Sequence, residues 1–328
     1  MKSAISKIRH GLLVLPLILF FVIGTGTAEA SNWKTVSVSG QEYVSAQNVQ
    51  KFYGFGRYAR EGSKCLFRNG GLVMIWTTGS KLVFINNTKF NLSFPIRESS
   101  GKALISTIDL SKLIDPVLRP SYIKSPITFD RVVIDPGHGG VASGAKGRKG
   151  IEKVYTLDLS LKLEKELKKR GFKTTMTRRT DKHLTLAQRV ALANKEKDAI
   201  FISIHFNSGS SSARGIETYS LAPQGTRSTN GSSPASRLQG HRRDAENIAL
   251  ATAVHAHVIH DLNAIDRGIK RAQFSVLCGI NKPAILFEGG FITNPAEAAI
   301  VDKDSYRQEL AESIANAVVK FQESVREK

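Results

Sequence analysis

The sequence predicts an α/β fold in which a mostly parallel sheet, covered by helices on both faces, is preceded by a small, mainly β domain. Three observations support this prediction. From residue 127 onward, apolar strand segments alternate with amphipathic helical segments. Several of these strands are runs of β-branched residues, which is typical of strands buried in a parallel sheet. Residues 34–125 contain short β-rich segments separated by Asn and Gly turn signals instead.

The first 30 residues are predicted to be an export signal. Lys2, Lys7 and Arg9 give it a positive start, residues 12–23 are apolar, and Ala28-Glu29-Ala30 has the small-x-small pattern of a cleavage site. The apolar run is short for a membrane span, which needs about 20 residues. An uncleaved anchor is the alternative. We expect cleavage, no stable membrane anchor afterwards, and a periplasmic location, with the extracellular space or the cell wall as the alternative.

The chain is strongly basic, with a formal net charge of +19 and a pI near 10.0. Such a charge indicates anionic partners rather than a particular fold. Nucleic acid is the usual partner of a basic protein, but an exported protein seldom meets it, so we expect none. Anionic polymers of the cell envelope are the favoured partners. Because the charges are dispersed, a solubilising surface is the alternative.

Residues 31–126 are predicted to form the small β-rich N-terminal module, with a helix at residues 45–52. The patterns Tyr43-Val44-Ser45 and Leu104-Ile105-Ser106 resemble the small module at the front of bacterial copper amine oxidases. This resemblance implies that the module binds or positions the protein on the cell envelope. The module contains no histidine, so we expect no metal there. Its predicted strands are Thr35–Val38, Leu72–Trp76, Lys81–Ile85 and Lys89–Leu92.

Residues 127–328 are predicted to form a second domain of α/β character. Its first helix, residues 152–170, has Val154, Leu157, Leu161, Leu163 and Leu167 on the expected apolar side. Strands and helices then alternate to the end of the chain. The predicted strands are 132–135, 173–177, 199–205, 215–221 and 283–288, and the later helices are 185–195, 244–262 and 305–325.

Two of the predicted strands end in a histidine. His138 follows the apolar run 132–135, and His205 follows the run 199–204. Glu288 occupies the same position after residues 283–287, and Glu152 opens a predicted helix. Because the carboxyl ends of parallel strands meet at one edge of a sheet, we expect these side chains to lie together.

This set of residues fits a hydrolytic zinc centre. Such centres hold one zinc ion with three His or carboxylate ligands and leave the fourth position to water. His138, Glu152 and His205 supply three ligands, and Glu288 is left to act as a base. Each residue alone has a structural interpretation: a strand-end histidine is usually structural, and Glu152 is favourable in a first helical turn. The predicted meeting of all four at one edge favours a single site.

The ordered motifs of residues 132–325 resemble those of zinc-dependent N-acetylmuramoyl-L-alanine amidases of the amidase-3 type. Any one motif is weak, but the ordered series is specific. The motifs are Asp135-Pro136-Gly137-His138-Gly139-Gly140, Glu152-Lys153, Thr177-Arg178 with Asp181, Leu186-Ala187-Gln188-Arg189 with Ala193-Asn194, Ser203-Ile204-His205-Phe206-Asn207, Gly215-Ile216-Glu217-Thr218-Tyr219 and Glu288-Gly289-Gly290-Phe291-Ile292-Thr293-Asn294.

The resemblance implies a six-stranded sheet between helices, zinc binding by His138, Glu152 and His205, and Glu288 as the catalytic carboxylate. It also implies hydrolysis of the amide between the lactyl group of N-acetylmuramic acid and L-alanine of the peptidoglycan stem peptide. The alternatives are a zinc peptidase, another acyl-amide hydrolase of the cell wall, and a non-catalytic wall-binding protein. Because all four positions are filled, an enzyme is favoured. No substrate-binding residue is assigned.

Ala142, Thr156 and Gly289 depart from the family pattern, which usually has Asp, Asn and a bulkier residue there. None is a predicted ligand, so we expect a changed pocket shape rather than a loss of catalysis. Family members tied to cell division often carry a helix that covers the zinc. The corresponding loop here, residues 222–240, is short and rich in Ser and Gly. We therefore expect a site that is not blocked by its own chain.

Overall fold

The computed structural model describes residues 33–234 and 236–326. The predicted export signal lies outside these residues. In the described part of the chain, no helix has both the length and the apolar character needed to cross a membrane.

Residues 33–126 are mainly β, as predicted. The helix expected at residues 45–52 begins at Ala46, because the Ser45 side chain accepts a hydrogen bond from the Asn48 amide and caps it. The strands are β1 (Thr35–Val38), β2 (Gln41–Ser45), β3 (Arg57–Glu61), β4 (Lys64–Asn69), β5 (Leu72–Thr77), β6 (Leu82–Ile85), β7 (Thr88–Asn91), β8 (Arg97–Ser99) and β9 (Lys102–Ser106), and the helices are α1 (Ala46–Phe52), α2 (Thr107–Asp109), a π-helical turn (Leu110–Ile114), α3 (Asp115–Leu118) and a 3₁₀ turn (Pro120–Tyr122).

The second part alternates strands and helices. Thr185 caps one helix through a reciprocal hydrogen-bond pair with Gln188. The strands are β10 (Arg131–Pro136), β11 (Lys173–Met176), β12 (Ala199–Asn207), β13 (Ile216–Leu221), β14 (Asp266–Ala272) and β15 (Ala284–Phe291), and the helices are α4 (Glu152–Lys169), α5 (Leu186–Lys195), a 3₁₀ turn (Gln239–Arg243), α6 (Asp244–Asp261), α7 (Ser275–Gly279), α8 (Pro295–Val301) and α9 (Asp304–Arg326).

The largest sheet of the described chain has the strand order β11-β10-β12-β15-β13-β14-β7-β6-β5-β4-β3. Four of the five pairings among its six second-half strands are parallel, as predicted, but the whole sheet has eleven strands and is parallel only in part, because the N-terminal strands add antiparallel pairings. β10 is parallel to β11 and β12, and β12 is parallel to β15. β13 then reverses, running antiparallel to β15 and parallel to β14. A second sheet has the order β1-β2-β9-β8.

Helices cover both faces of the second-half strands, as predicted. Val132 and Ile134 of β10 pack in the core formed with α4, α6 and α9, whereas Val133 packs in a second core with α5 and α7. The apolar side expected for α4 was partly wrong. Val154 and Leu161 are 57% and 39% exposed. The buried apolar residues of this helix are Tyr155, Leu159, Leu163 and Leu167.

β14 was missed by the sequence reasoning because its segment is rich in charged residues and contains Gly268. The structure shows how these charges are accommodated. Arg271 is only 3% exposed, and burial lowers its pKa to about 10. Its guanidinium donates to Ser220 Oγ and to the carbonyl of Leu221. Internal hydrogen bonds thus replace the water that these charged side chains would otherwise need.

The N-terminal strands extend the same sheet through β7 and β14. Ile269 pairs with Phe90 in parallel. The Lys89 amide donates to Asp266 Oδ2 at 2.7 Å, and Asn91 Nδ2 donates to the Ile269 carbonyl at 3.1 Å. The two parts of the chain also share one hydrophobic core. The division into two domains at residue 126 stays a prediction, and the strands on its two sides are joined by hydrogen bonds.

The carboxyl ends of β10, β12 and β15 and the amino end of β13 lie together along one edge of the sheet, which is formed by strand ends rather than by an outermost strand. Loop 222–240 begins at the other edge, where β13 ends. Its residues Ser228 and Thr229 are hydrogen-bonded to Gln273 and Arg271 there. This part of the loop thus lies at the strand ends opposite the predicted ligands, and the expectation of an uncovered site stays a prediction.

Candidate metal centre

The three predicted metal ligands meet at the edge formed by the strand ends. His138 follows β10, His205 lies near the end of β12, and Glu152 is the first residue of α4. Glu152 Oε1 lies 3.0 Å from His138 Nε2 and 2.8 Å from His205 Nδ1. One ligand atom from each residue lies within 4.8 Å of the others, which suits a single metal ion. Among the described residues, this is the one such group of His, Cys, Asp or Glu.

Glu152 is held in place by backbone amides. It is 4% exposed; the Ala145 amide donates to its Oε2 at 2.8 Å, and the Phe206 amide donates to its Oε1 at 3.3 Å. Burial by itself raises the pKa of this carboxyl, but its hydrogen bonds with His138 and His205 outweigh burial and lower the pKa to about 2. The carboxylate is therefore ionised at neutral pH.

The turn that carries His138 is strained and is braced by two arginines. His138 has φ 61°, in the left-handed region that non-glycine residues rarely adopt. Arg189 Nη2 donates to the His138 carbonyl at 2.5 Å, and Arg178 Nη2 donates to the Gly137 carbonyl at 2.7 Å. Both arginines are 3% exposed. These contacts hold the turn, and with it the imidazole that faces Glu152.

Asp135 anchors the same turn to its neighbouring strands and helix. Its Oδ1 accepts from Arg189 Nη1 at 2.7 Å and from Thr177 Oγ1 at 2.6 Å, and its Oδ2 accepts from Ser203 Oγ at 2.8 Å. All four residues of this network belong to the sequence motifs, but no role was predicted for them. Their signal in the sequence is polar side chains within or directly after apolar strands, or in a helix for Arg189, and their position here supports the His138 turn.

Glycine is required at position 137 because the backbone there lies close to the ring of His205. A Cβ at this position would lie 2.4 Å from the ring of His205. Thr156, which replaces the usual Asn of the family pattern, donates from Oγ1 to the Gly137 carbonyl at 2.8 Å. A Cβ at Gly289 would lie 2.9 Å from the Phe206 ring, so a bulkier residue there would require Phe206 to move. These two departures thus have packing and hydrogen-bonding roles around the centre.

Glu288 lies beside the candidate metal ligands on β15, in register with His205 of β12. Its Oε2 is buried and has no hydrogen-bond partner among the described residues. Burial raises its pKa well above the usual value, the negative charges of Glu152 and Glu217 raise it further, and Lys270 opposes them. A carboxyl with a raised pKa holds a proton more readily than an ordinary glutamate, as an acid–base group requires.

A second charged cluster lies next to Glu288 and was not assigned from the sequence. Glu217, 2% exposed, faces Glu288 across the antiparallel pair of β13 and β15. Its Oε1 accepts from Arg267 Nε at 2.6 Å and from Lys270 Nζ at 2.5 Å. Its Oε2 accepts from Asn207 Nδ2 at 2.9 Å and from Tyr219 Oη at 2.7 Å. Burial raises the pKa of Glu217, but its hydrogen bonds outweigh burial and lower it.

The three histidines of α6 lie apart from this centre. His255 is fully buried between Thr218 Oγ1 and Asp266 Oδ1, each 3.0 Å from a ring nitrogen. His257 contacts the carbonyl of Ala253, and His260 contacts the side chain of Asp261. Each of these histidines thus has its own contacts, and His255 has a structural position in the core.

Comparisons with known proteins agree with this geometry. Residues 132–320 match the family described as N-acetylmuramoyl-L-alanine amidase, Amidase_3. The chain is 34% identical over 193 residues to the uncharacterised protein YqiI of Bacillus subtilis (strain 168), covering 59% of this chain and 85% of that protein. It is 30% identical over 202 residues to the N-acetylmuramoyl-L-alanine amidase LytC of the same organism, covering 61% of this chain and 37% of LytC.

Solved structures of amidases share the fold. The catalytic domain of CwlV, an N-acetylmuramoyl-L-alanine amidase from Bacillus (Paenibacillus) polymyxa var. colistinus, is 32% identical with a TM-score of 0.51, covering 60% of this chain and 99% of that chain. An N-acetylmuramoyl-L-alanine amidase from Clostridium difficile 630 is 30% identical with a TM-score of 0.50, covering 60% and 98%. With more than half of its residues matched by the family pattern, the chain belongs to the Amidase_3 family of N-acetylmuramoyl-L-alanine amidases.

Proposed function

We propose that this chain uses one zinc ion to hydrolyse the amide between the lactyl group of N-acetylmuramic acid and L-alanine of the stem peptide in peptidoglycan. The observation that carries the proposal is the edge where His138, Glu152 and His205 meet beside the unpartnered Glu288. Family membership supports the substrate. The side chains support the reaction class, which is hydrolysis with a metal ion and a carboxylate base.

The donor set fits zinc. Two imidazole nitrogens and one carboxylate oxygen are the ligands that hydrolytic zinc sites use. The low pKa of Glu152 keeps it ionised, and the amides of Ala145 and Phe206 fix its orientation. When bound, zinc supplies a Lewis acid that polarises a carbonyl and lowers the pKa of water. His138, Glu152 and His205 would hold it, with Arg178 and Arg189 supporting the His138 turn.

Glu288 would act first as a base and then as an acid. It takes a proton from the water that attacks the scissile carbonyl. After the C–N bond breaks, it gives that proton to the amine nitrogen of L-alanine, so that the products are a lactyl carboxylic acid and a peptide with a free amino terminus. Because its environment raises the pKa of Glu288, the carboxyl can hold the proton between these two steps.

We further propose that residues 1–30 direct export, that the enzyme acts in the periplasm, and that residues 31–126 position the catalytic domain, residues 127–328, on the cell envelope. The net charge of +19 supports contact with an anionic envelope. The hydrogen bonds between β7 and β14 support a fixed orientation of the N-terminal module relative to the catalytic strands.

The test is digestion of purified sacculi by the zinc-loaded protein, followed by mass spectrometry. Intact glycan strands together with peptides that begin with free L-alanine support the proposal. Products cut inside the stem peptide would indicate a peptidase, and binding without products would indicate a wall-binding protein. Chelation should abolish activity and zinc should restore it. Full activity in protein shown to be free of metal would contradict the zinc assignment.

A further inference from the structure

Arg267 is held in one orientation beside the proposed catalytic carboxylate. Its Nε donates to Glu217 Oε1, and its guanidinium carbon lies 4.7 Å from the centroid of the Phe291 ring. Glu217 is itself fixed by Lys270, Asn207 and Tyr219. A guanidinium that is anchored on one side and stacked on a ring loses little freedom when it binds a further group.

The outer side of this guanidinium is available. Arg267 Nη1 and Nη2 donate no hydrogen bond to any residue within 33–234 and 236–326, and neither nitrogen is among the buried atoms that lack a partner. The side chain is 36% exposed. Two adjacent N–H groups of a guanidinium match the two oxygens of a carboxylate, which they bind in a bidentate manner.

The surface around Arg267 has basic residues on both sides. Arg214 is exposed just before β13. Across β15, the loop of residues 145–150 approaches so closely that a Cβ at Gly147 would lie 2.2 Å from the Ile292 carbonyl oxygen. This arrangement attracts anionic groups of a substrate to the edge that carries Glu288. The exposed basic residues of the loop are Lys146, Arg148 and Lys149.

The distance between Arg267 and Glu288 limits which group of the substrate Arg267 can bind. Residues that face each other across a strand pair have Cβ atoms about 5 Å apart, and strands are spaced by about 4.8 Å. Because Arg267 binds Glu217, which faces Glu288, its guanidinium lies roughly 5–10 Å from the catalytic carboxylate. An extended peptide covers such a distance in about two or three residues.

The chemistry of the substrate indicates on which side of the scissile bond this group lies. The carboxyl of muramic acid is already used in the scissile amide, and the N-acetylated sugars beside it are neutral. Carboxylates near the scissile bond therefore lie on the peptide side. We propose that Arg267 binds the free α-carboxylate of the second stem-peptide residue, and that the enzyme prefers peptides in which this carboxylate is not amidated. This inference rests on the proposed amidase function, and it makes Glu217 the positioning residue for Arg267.

The test compares two N-acetylmuramoyl tripeptides, L-alanyl-D-γ-glutamyl-L-lysine with the glutamyl α-carboxyl either free or amidated. With the zinc-loaded full chain, we expect kcat/KM to be about tenfold higher for the free acid, as for one charge-assisted bidentate pair. Arg267→Gln should lose far more activity on the acid than on the amide, so that the ratio approaches one. Arg267→Lys should keep part of the preference for the free acid, because lysine keeps the positive charge but cannot bind a carboxylate in a bidentate manner.

Arg214→Gln is the matched control, because it removes an equal charge from the same surface without changing the contacts of Glu217. It should keep the wild-type ratio of kcat/KM between the free acid and the amide. Melting temperatures check that each variant is folded. Equal rates of the wild type on both tripeptides would overturn the inference while leaving the amidase function intact. An equal loss on both tripeptides in Arg267→Gln would also overturn it, since Arg267 would then only neutralise Glu217. Cleavage of neither tripeptide, with sacculi also intact, would contradict the amidase function itself.

Discussion

Glu217 and Glu288 face each other across β13 and β15, yet their two carboxylates have opposite surroundings. Glu217 accepts hydrogen bonds from Arg267, Lys270, Asn207 and Tyr219. Glu288 has a buried oxygen with no partner among the described residues. Hydrogen bonds accordingly lower the pKa of Glu217 against the effect of burial, whereas burial and its acidic neighbours raise the pKa of Glu288.

This difference distinguishes a carboxylate that supports the structure from one that is available for a reaction. A paired buried carboxylate is a fixed anchor, and removing it leaves its cationic partners without a counter-charge. An unpaired buried carboxylate lowers the stability of the fold, because its desolvation is not compensated. Such a cost is found where a group is needed for a reaction. The comparison therefore predicts that substitutions at the two positions affect different properties of the protein.

The largest expected effect is on activity. Glu288→Gln should lower kcat on sacculi by about 10²–10⁴-fold, the usual contribution of a general acid–base group. Its zinc content should match that of the wild type, because Glu288 is not a proposed ligand. Peptide release measured by mass spectrometry and metal content measured by atomic emission check both points. A variant that holds zinc and keeps full activity would contradict the role of Glu288 as base.

The four residues of the proposed site could be predicted from the sequence because they lie at or beside the ends of apolar strands, whose position at one edge follows from parallel pairing. Glu217 was not assigned because β13 runs antiparallel to β15, which places its amino end, rather than its carboxyl end, at this edge. Arg267 was missed with β14, whose charged sequence is stabilised by partners distant in the chain. Local sequence patterns do not contain such tertiary contacts.

The second effect is on stability. Glu217→Gln should lower the free energy of unfolding by about 1–3 kcal/mol, less than for a fully buried pair because Arg267 and Lys270 are partly solvated. Denaturant unfolding of the metal-free proteins measures this. Glu288→Gln is the matched control at the facing position and should be at least as stable as the wild type at neutral pH. If both variants lose similar stability, the distinction between anchor and reactive group is wrong.

The third effect is on the pH dependence of stability, which should have opposite signs for the contributions of Glu288 and Glu217. The folded-state pKa of Glu288 is raised, so its contribution to stability is present below its usual value and is lost as the pH rises towards the folded value. The folded-state pKa of Glu217 is lowered, so its contribution is present above the usual value and is lost as the pH falls. In metal-free protein, the advantage of Glu288→Gln over the wild type should therefore grow from about pH 4 to pH 7.

The deficit of Glu217→Gln in the same series should shrink as the pH falls below the usual range of a glutamate pKa. Calorimetric melting of the wild type and both variants across this interval tests the two signs together. Parallel pH profiles for the two variants would show that the facing carboxylates share one environment.

The smallest effect isolates one hydrogen bond of the anchor. Tyr219→Phe removes the hydroxyl that donates to Glu217 Oε2 at 2.7 Å, and it should lower the free energy of unfolding by about 1 kcal/mol. Tyr58→Phe is a matched control, because its hydroxyl donates to the neutral Cys65 Sγ at 3.5 Å in the N-terminal strands. A hydrogen bond to an ionised acceptor is stronger than one to a thiol, so the Tyr219 variant should be the less stable of the two. Equal melting temperatures would mean that Arg267, Lys270 and Asn207 hold Glu217 in place without Tyr219.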